Sequence, residues 1–340
     1  MRRLLNTLYV TNPDAFLKKK NDAIEVIVDG DKVLSVPFHV VDGVVLYGHA
    51  SMSRVLMSVC ASQGISIVFL DERGQYQGRL EGPVSGNVLL RREQYRRSFD
   101  AGATLEVARH FVVAKIHNSR VVLQHYARDY TELKSTEVPT VLQKLRVAGN
   151  EAKSAATVDE LRGIEGAAAR LYFSVFGQLF RPDTGVAFDG RNRRPPKDPV
   201  NAALSFFYTM LARDVATACS SVGLDPQLGY LHACRSGRMS LALDLMEELR
   251  APVVDRFVLS LFNRHQLEQK DFILEGGGVV FRDSMLKNSL GWWQAKKKEE
   301  IVHPFLKEKI PVGILPFVQA QLFARYLRGD IESYPAMMWR

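Results

Sequence analysis

Cysteine is scarce in this 340-residue chain: Cys60, Cys219 and Cys234 are the only three. An odd number at wide spacing gives neither a disulfide framework nor a thiolate zinc pattern, and it fits a reducing cytoplasm. Long hydrophobic runs are missing too. No stretch of about 18 apolar residues occurs, so no transmembrane helix and no membrane partner is expected. The opening MRRLLNTLYVTNPDAF starts basic but lacks a long apolar stretch and a small-residue cleavage site, so it does not read as a secretory signal. No repeat of about 20–50 residues is visible. What is present in quantity is core material: 46% of residues are hydrophobic, which excludes wholesale disorder. The length suits two domains or one large one.

The formal net charge is +8, and its distribution matters more than its size. Residues 1–90 carry nine Lys/Arg and nine Asp/Glu, whereas residues 91–340 carry 36 and 28. A basic excess confined to one part points to an anionic partner bound there, with ordinary solubilising charge as the alternative.

Residues 1–90 read as β-rich. AIEVIVDG and DKVLSVPFHVVDGVVLYG are Val/Ile/Leu runs separated by Asp-Gly and Gly-Asp turn signals. One helix interrupts, SMSRVLMSVCASQG, capped by Ser51 or Ser53 and stopped by Gly64. ISIVFLDERGQYQGRLEG then predicts two strands around a turn at Gly74. After Gly86 apolar residues recur at three- and four-residue spacing, as in Val107, Phe111 and Ala114, which predicts long helices. Segments 137–148, 157–180, 198–219, 240–262 and 304–328 read as helical, with Ser240 a candidate cap. RPDTGVAFDGRNRRPPKDP (181–199) breaks the pattern, and FILEGGGVVFRD (272–283) predicts a hairpin. The expectation is an α+β multidomain protein. A β-rich N-terminal domain spans 1–90, and a larger, basic, all-α C-terminal domain spans 91–340.

Polar residues stand out in the helical part. Glu165 lies in GIEGAAARLYF among Gly163, Gly166 and Ala167–Ala169, small residues that permit close approach of a helix or substrate backbone. Taken alone, it reads first as a solvated Glu on an amphipathic helix. His232, in LGYLHACRSGRMS, reads as a ligand or as a hydrogen-bonded core histidine. Asp244 and Glu247, three apart in SLALDLMEELR, share a helix face. Such a pair needs a nearby positive charge, either a metal ion or Arg235, Arg238 or Arg250. Two carboxylates and one imidazole suit Mg²⁺ or Mn²⁺, and the basic excess suits a phosphate backbone. Together they fit metal-assisted phosphodiester chemistry. The Arg191–Arg193–Arg194 run either grips DNA or forms a solvated loop, and Pro195–Pro196 favours the loop.

Four segments in order resemble one family across the whole chain. AKIHNSRVVLQ (114–124), GIEGAAARLYF (163–173), DPVNAALSFFYTML (198–211) and LGYLHACRSGRMSLALDLMEELRAPVVDR (228–256) are similar to the motifs of the CRISPR-associated spacer-acquisition integrase, the first-numbered Cas protein. LLNTLYVTNPDAFL and GPVSGNVLLRREQYR (82–96) resemble its type I-C branch. The resemblance implies a metal site of Glu165, His232 and Glu247 holding Mg²⁺ or Mn²⁺. The third ligand is Asp in some members and Glu here. It also implies a supporting role for Asp244 and a place near the DNA ends for Tyr208, which also reads as a packing aromatic. Arg235, Arg238, Arg250 and Lys287 are candidate DNA contacts. The implied partners are double-stranded prespacer and repeat DNA, a second copy of the chain, and the small second-numbered Cas protein in a heterohexameric complex. The implied reaction is attack of a prespacer 3′-hydroxyl on a repeat phosphodiester. The neutral 1–90 domain is the expected dimerisation and partner-contact surface. Two alternatives remain from the residues themselves: a stand-alone structure-specific repair nuclease, and a non-enzymatic DNA-binding scaffold.

Overall fold

The structure, a computed structural model, describes residues 6–10, 12–70, 76–80, 82 and 88–339. Met1–Leu5, the expected turn at Gly74 and residues 83–87 with Gly86 lie outside the described residues. The chain forms two compact units, Met1–Gly86 with Leu286–Lys298, and Asn87–Met285 with Glu299–Arg340.

The first unit holds β1 (Asn6–Val10), β2 (Phe16–Lys20), β3 (Ala23–Val28), β4 (Asp31–Pro37), β5 (Val41–Tyr47), β6 (Ser51–Met52), α1 (Arg54–Ser62), β7 (Ser66–Leu70) and β8 (Tyr76–Leu80). One sheet has the order β1-β5-β7-β8 and the other β4-β3-β2-β6. Asp29 and Gly30 both take positive φ, 52° and 87°, the two-residue turn that matches the twist of the β3–β4 hairpin. Ser53, one of the two expected caps, accepts the Leu56 N–H at 3.2 Å and starts α1. Leu17, Ile24, Val44, Leu46, Leu56, Cys60 and Ile67 make a single core from both sheets and α1. Glu25 is buried on β3, with Lys18, Lys20 and Lys32 between 3.5 and 3.9 Å.

The second unit is helical. It holds α2 (Val88–Phe99), α3 (Ala101–Asp129), α4 (Val138–Ser154), α5 (Val158–Phe176), α6 (Pro199–Ser221), α7 (Ser240–Leu249) and α8 (Arg256–Asn263). Then come β9 (Phe272–Glu275), β10 (Gly278–Phe281), the start of α9 (Asp283–Lys298), β11 (Glu300–Val302), β12 (Lys309–Pro311) and α10 (Leu315–Arg328). α3 is the axis: capped by Asp100, which accepts the Ala103 N–H at 2.7 Å, it packs against α4, α5 and α7. The α+β class expected from the sequence is the one observed. Among the described residues, no helix is long and apolar enough to cross a membrane.

Three local expectations fail for identifiable reasons. Residues 304–328 are not one helix. Pro304 and Pro311 deny it backbone donors, Lys307 sits at φ 60°, and 300–311 fold into the β11–β12 hairpin before α10 begins. Ser240 does not cap α7. It is the first helical residue, and its hydroxyl donates to the Ala233 carbonyl at 3.0 Å instead. The 240–262 helix is interrupted by a π-helical turn over Arg250–Asp255, where Pro252 breaks the regular ladder.

Candidate functional site

Three separate stretches of the second unit supply the site. α5 carries Glu165, the α6–α7 loop carries His232, and α7 carries Asp244 and Glu247. Glu165, His232 and Glu247 line a cleft of about 550 Å³, together with Lys115 from α3, Tyr172 from α5, Arg191 and Arg193 from the 181–199 segment, Tyr208 from α6, and Arg250 and Asp255 from the π turn.

The histidine loop is fixed from beneath by Asp244, which is fully buried. Its Oδ2 accepts the N–H groups of Tyr230 (2.6 Å) and Leu231 (3.0 Å), and its Oδ1 accepts the N–H of His232 at 2.9 Å. His232 Nδ1 lies 2.6 Å from the same Oδ1 and is the donor there, because a carboxylate only accepts. That leaves Nε2 free to act as a base or ligand, and it sits 3.9 Å from Glu247 Oε1. Gly229 is required at the turn: a Cβ there would meet Ser240 Cβ at 2.6 Å and the His232 carbonyl oxygen at 2.7 Å. Arg162, from α5, donates to the Leu231 carbonyl at 2.7 Å and ties this loop to the helix of Glu165.

Glu247 is 3% exposed and Asp244 is fully buried, so the pair does not form a solvated acidic face. Burial alone would raise its pKa, but Arg250, Lys115 and His232 outweigh that and hold the carboxylate well below the usual range. Lys115 Nζ is 2.7 Å and Arg250 Nε 3.1 Å from Glu247 Oε2. Neither contact has hydrogen-bond alignment, so this buried oxygen is held only by charge. Lys115 also ion-pairs with Glu165 Oε1. As the side chains stand, no three His, Cys, Asp or Glu among the described residues converge on one point to hold an ion. The ammonium lies between the carboxylates. The donor types still suit a hard divalent cation: two carboxylates, one of them with an oxygen lacking a hydrogen bond, and an imidazole with its far nitrogen free.

Tyr208 is buried as well as cleft-lining. Its hydroxyl donates to Asp255 Oδ1 at 2.5 Å, and the guanidinium groups of Arg250 and Arg191 lie 4.6 and 5.5 Å from its ring centre. Burial, then the Asp255 charge, pushes its pKa well above the ordinary tyrosine value. Burial likewise raises the Asp255 carboxyl to about 6, against the pull of Tyr208, Tyr172, Arg250 and Arg191.

Two expectations change here. Arg191 is not part of a solvated loop: it donates to Asn201 Oδ1 at 2.6 Å and to Ser205 Oγ at 3.0 Å, and it faces the cleft with Arg193, while Arg194 is exposed. The small residues around Glu165 divide: a Cβ on Gly163 would meet nothing within 4 Å and Gly166 and Ala169 line the cleft, whereas Ala168 is buried. Of the four proposed DNA contacts, Arg250 is in the cluster. Arg235 is exposed and Arg238 half-buried on the histidine loop, outside the cleft lining. Lys287 is exposed on the part of α9 that belongs to the first unit. Lys115 is the site residue that sequence reasoning passed over. The signal was present: it is the lysine of the AKIHNSR motif, which places it on α3 facing α5 and α7.

A family model described as "CRISPR associated protein Cas1" matches residues 8–295. A curated CRISPR-associated endonuclease Cas1 from Rhodospirillum rubrum is 47% identical over 347 residues, covering 100% of both chains. A solved Cas1 protein from Thermotoga maritima shares the fold at TM-score 0.81 and 23% identity, covering 96% of this chain and 97% of that one. A chain of a Cas6-RT-Cas1–Cas2 complex also has TM-score 0.81, at 22% identity, covering 99% of this chain and 36% of that one. With endonucleases among relatives this close, the non-enzymatic scaffold drops out. The chain belongs to the Cas1 family of CRISPR-associated endonucleases.

Proposed function

We propose that this protein is a CRISPR adaptation integrase of the type I-C branch. In this reading it inserts a short duplex prespacer into the CRISPR array through attack of a prespacer 3′-hydroxyl on a repeat phosphodiester. Glu165, His232 and Glu247 hold Mg²⁺ or Mn²⁺. The observation that carries the reading is that these three side chains, Glu165 distant in sequence from the other two, line one cleft rimmed by arginines.

When bound, the metal supplies Lewis-acid polarisation of the scissile phosphate and lowers the pKa of the attacking hydroxyl. The chain's own groups do the rest. Asp244 keeps the proton on His232 Nδ1 and so presents Nε2 as the ligand. Arg250 and Arg191, fixed by Tyr208, Asn201 and Ser205, stand ready to offset charge that gathers on the phosphate in the transition state. Arg193 and, on the histidine loop, Arg235 and Arg238 extend the basic surface toward the DNA backbone.

The partners in this reading are prespacer and repeat DNA, a second copy of the chain, and the small second-numbered Cas protein in a heterohexamer. The first unit provides the dimerisation and partner surface, and the setting is the cytoplasm. The test is strand joining. The protein is incubated with its small Cas partner, a prespacer bearing free 3′-hydroxyls and a repeat-bearing plasmid. Joined product that disappears in EDTA is expected. Metal-dependent nicking with no joined product would leave a structure-specific nuclease instead.

A further inference from the structure

Lys115 occupies the ground a metal would need. Its ammonium contacts Glu165 Oε1 and lies 2.7 Å from Glu247 Oε2, so the two carboxylates meet across it. Mg²⁺ bound to both would sit about 2.0–2.1 Å from its oxygen ligands. A metal bridging Glu165 Oε1 and Glu247 Oε2 would take the ammonium's own position between them, and the two cations would repel each other at that distance. The charges agree. Without a metal, Glu165 and Glu247 are balanced by Lys115 and Arg250; an added divalent ion leaves an excess unless one cation withdraws.

Arg250 is the wrong cation to withdraw. Its guanidinium is stacked over the Tyr208 ring at 4.6 Å, and it is carried on a π turn. Lys115 has the right properties: a compact charge on a four-carbon stem with freely rotating bonds, at the edge of an open cleft. Its contact with Glu247 Oε2 is close in distance but lacks hydrogen-bond alignment, so the directional bond lost when it leaves is the one to Glu165.

We infer that Lys115 is an internal place-holder for the metal. In the metal-free protein it keeps two facing carboxylates assembled, and metal binding displaces its ammonium into the cleft. This rests on the metal-site reading proposed above. It has a consequence that an ordinary structural lysine lacks. The measured metal affinity contains the cost of breaking Lys115's ion pairs, so removing the lysine strengthens metal binding while weakening the metal-free fold.

The test is Mn²⁺ binding to the full-length protein, followed through loss of the free-ion electron paramagnetic resonance signal. Lys115→Met, which keeps the stem and removes the charge, is expected to bind Mn²⁺ at least about tenfold more tightly than wild type. Its unfolding midpoint in EDTA is expected below wild type, with the gap narrowing at saturating Mn²⁺. If Lys115→Met does not fold without metal, Lys115→Gln serves, with a smaller gain. Arg170→Gln, which removes a cleft-lining charge that is not paired with either carboxylate, is expected to leave affinity within about twofold. Unchanged or weaker binding by the Lys115 variants overturns the inference. So does an equal gain with Arg170→Gln, which would make the effect one of general charge. Failure of wild type and variants alike to bind Mn²⁺ would remove the metal-site reading itself.

Discussion

At the scale of single residues, the site depends on groups that touch nothing reactive. Asp244 collects three successive backbone N–H groups and His232 Nδ1. In Asp244→Asn an amide N–H₂ must face some of these donors. We expect an unfolding free energy lower by about 1–3 kcal/mol and metal-dependent DNA turnover lower by roughly 10–100-fold. Chemical denaturation and initial-rate assays on the same preparation check both. Asp255 makes a pH prediction. Burial raises its pKa from 3.8 to about 6, so the folded protein holds this proton more tightly than the unfolded chain. Its contribution is therefore fully present below pH 3.8 and is lost as pH rises through about 6. Asp255→Asn keeps an acceptor for the Tyr208 hydroxyl but does not titrate. Relative to the variant, wild type is expected to lose on the order of 3 kcal/mol between those limits. Parallel pH dependence of the two unfolding midpoints would contradict the assignment.

At the scale of elements, the C-terminal strap after α10 joins the two helices on which the site rests. Asn118, on α3 one turn beyond Lys115, donates to the carbonyls of Glu248 (2.7 Å) and Met337 (2.6 Å) and accepts the Trp339 N–H at 2.8 Å. Glu248, next to Glu247 on α7, accepts from the Tyr334 hydroxyl at 2.5 Å, Gln319 at 2.9 Å and the Met337 N–H at 2.6 Å. Tyr334→Phe leaves Glu248 and Gln319 short of a partner in a fully buried network. A loss of about 1–3 kcal/mol in unfolding free energy is expected, measured by denaturant titration. None of this strap was legible in the sequence, because IESYPAMMWR has no period and its partners Glu248 and Asn118 lie 86 and 221 residues away. Legible elements were those with local causes: the Asp29–Gly30 hairpin, the Ser53-capped α1, the long α3, and the β9–β10 hairpin with Gly276 and Gly277 both at positive φ. The hairpin within 304–328 was missed because apolar spacing outweighed two prolines. The site itself was half legible. Residue types and motif order pointed to Glu165, His232, Asp244 and Glu247, whereas the anchoring of Arg191 and the pairing of Lys115 are tertiary facts with no local signature.

At the scale of the whole molecule, charge and chemistry coincide. The basic excess lies in 91–340, the part that also holds the carboxylate–imidazole cluster. DNA affinity is therefore expected to fall steeply with salt, and Arg235→Gln or Arg238→Gln to lower the salt slope by about 1 each. Fluorescence anisotropy on duplex DNA at several salt concentrations checks this. The central claim is that Glu165, His232 and Glu247 form the metal-dependent reaction centre. Its most direct test is single-turnover DNA processing by Glu165→Ala in Mn²⁺, with DNA affinity measured in parallel. The account predicts a rate loss of roughly a hundredfold or more at unchanged DNA affinity, given that even the partners of metal ligands are worth about 10–100-fold. A folded Glu165→Ala protein that binds DNA and turns it over at the wild-type rate would contradict it.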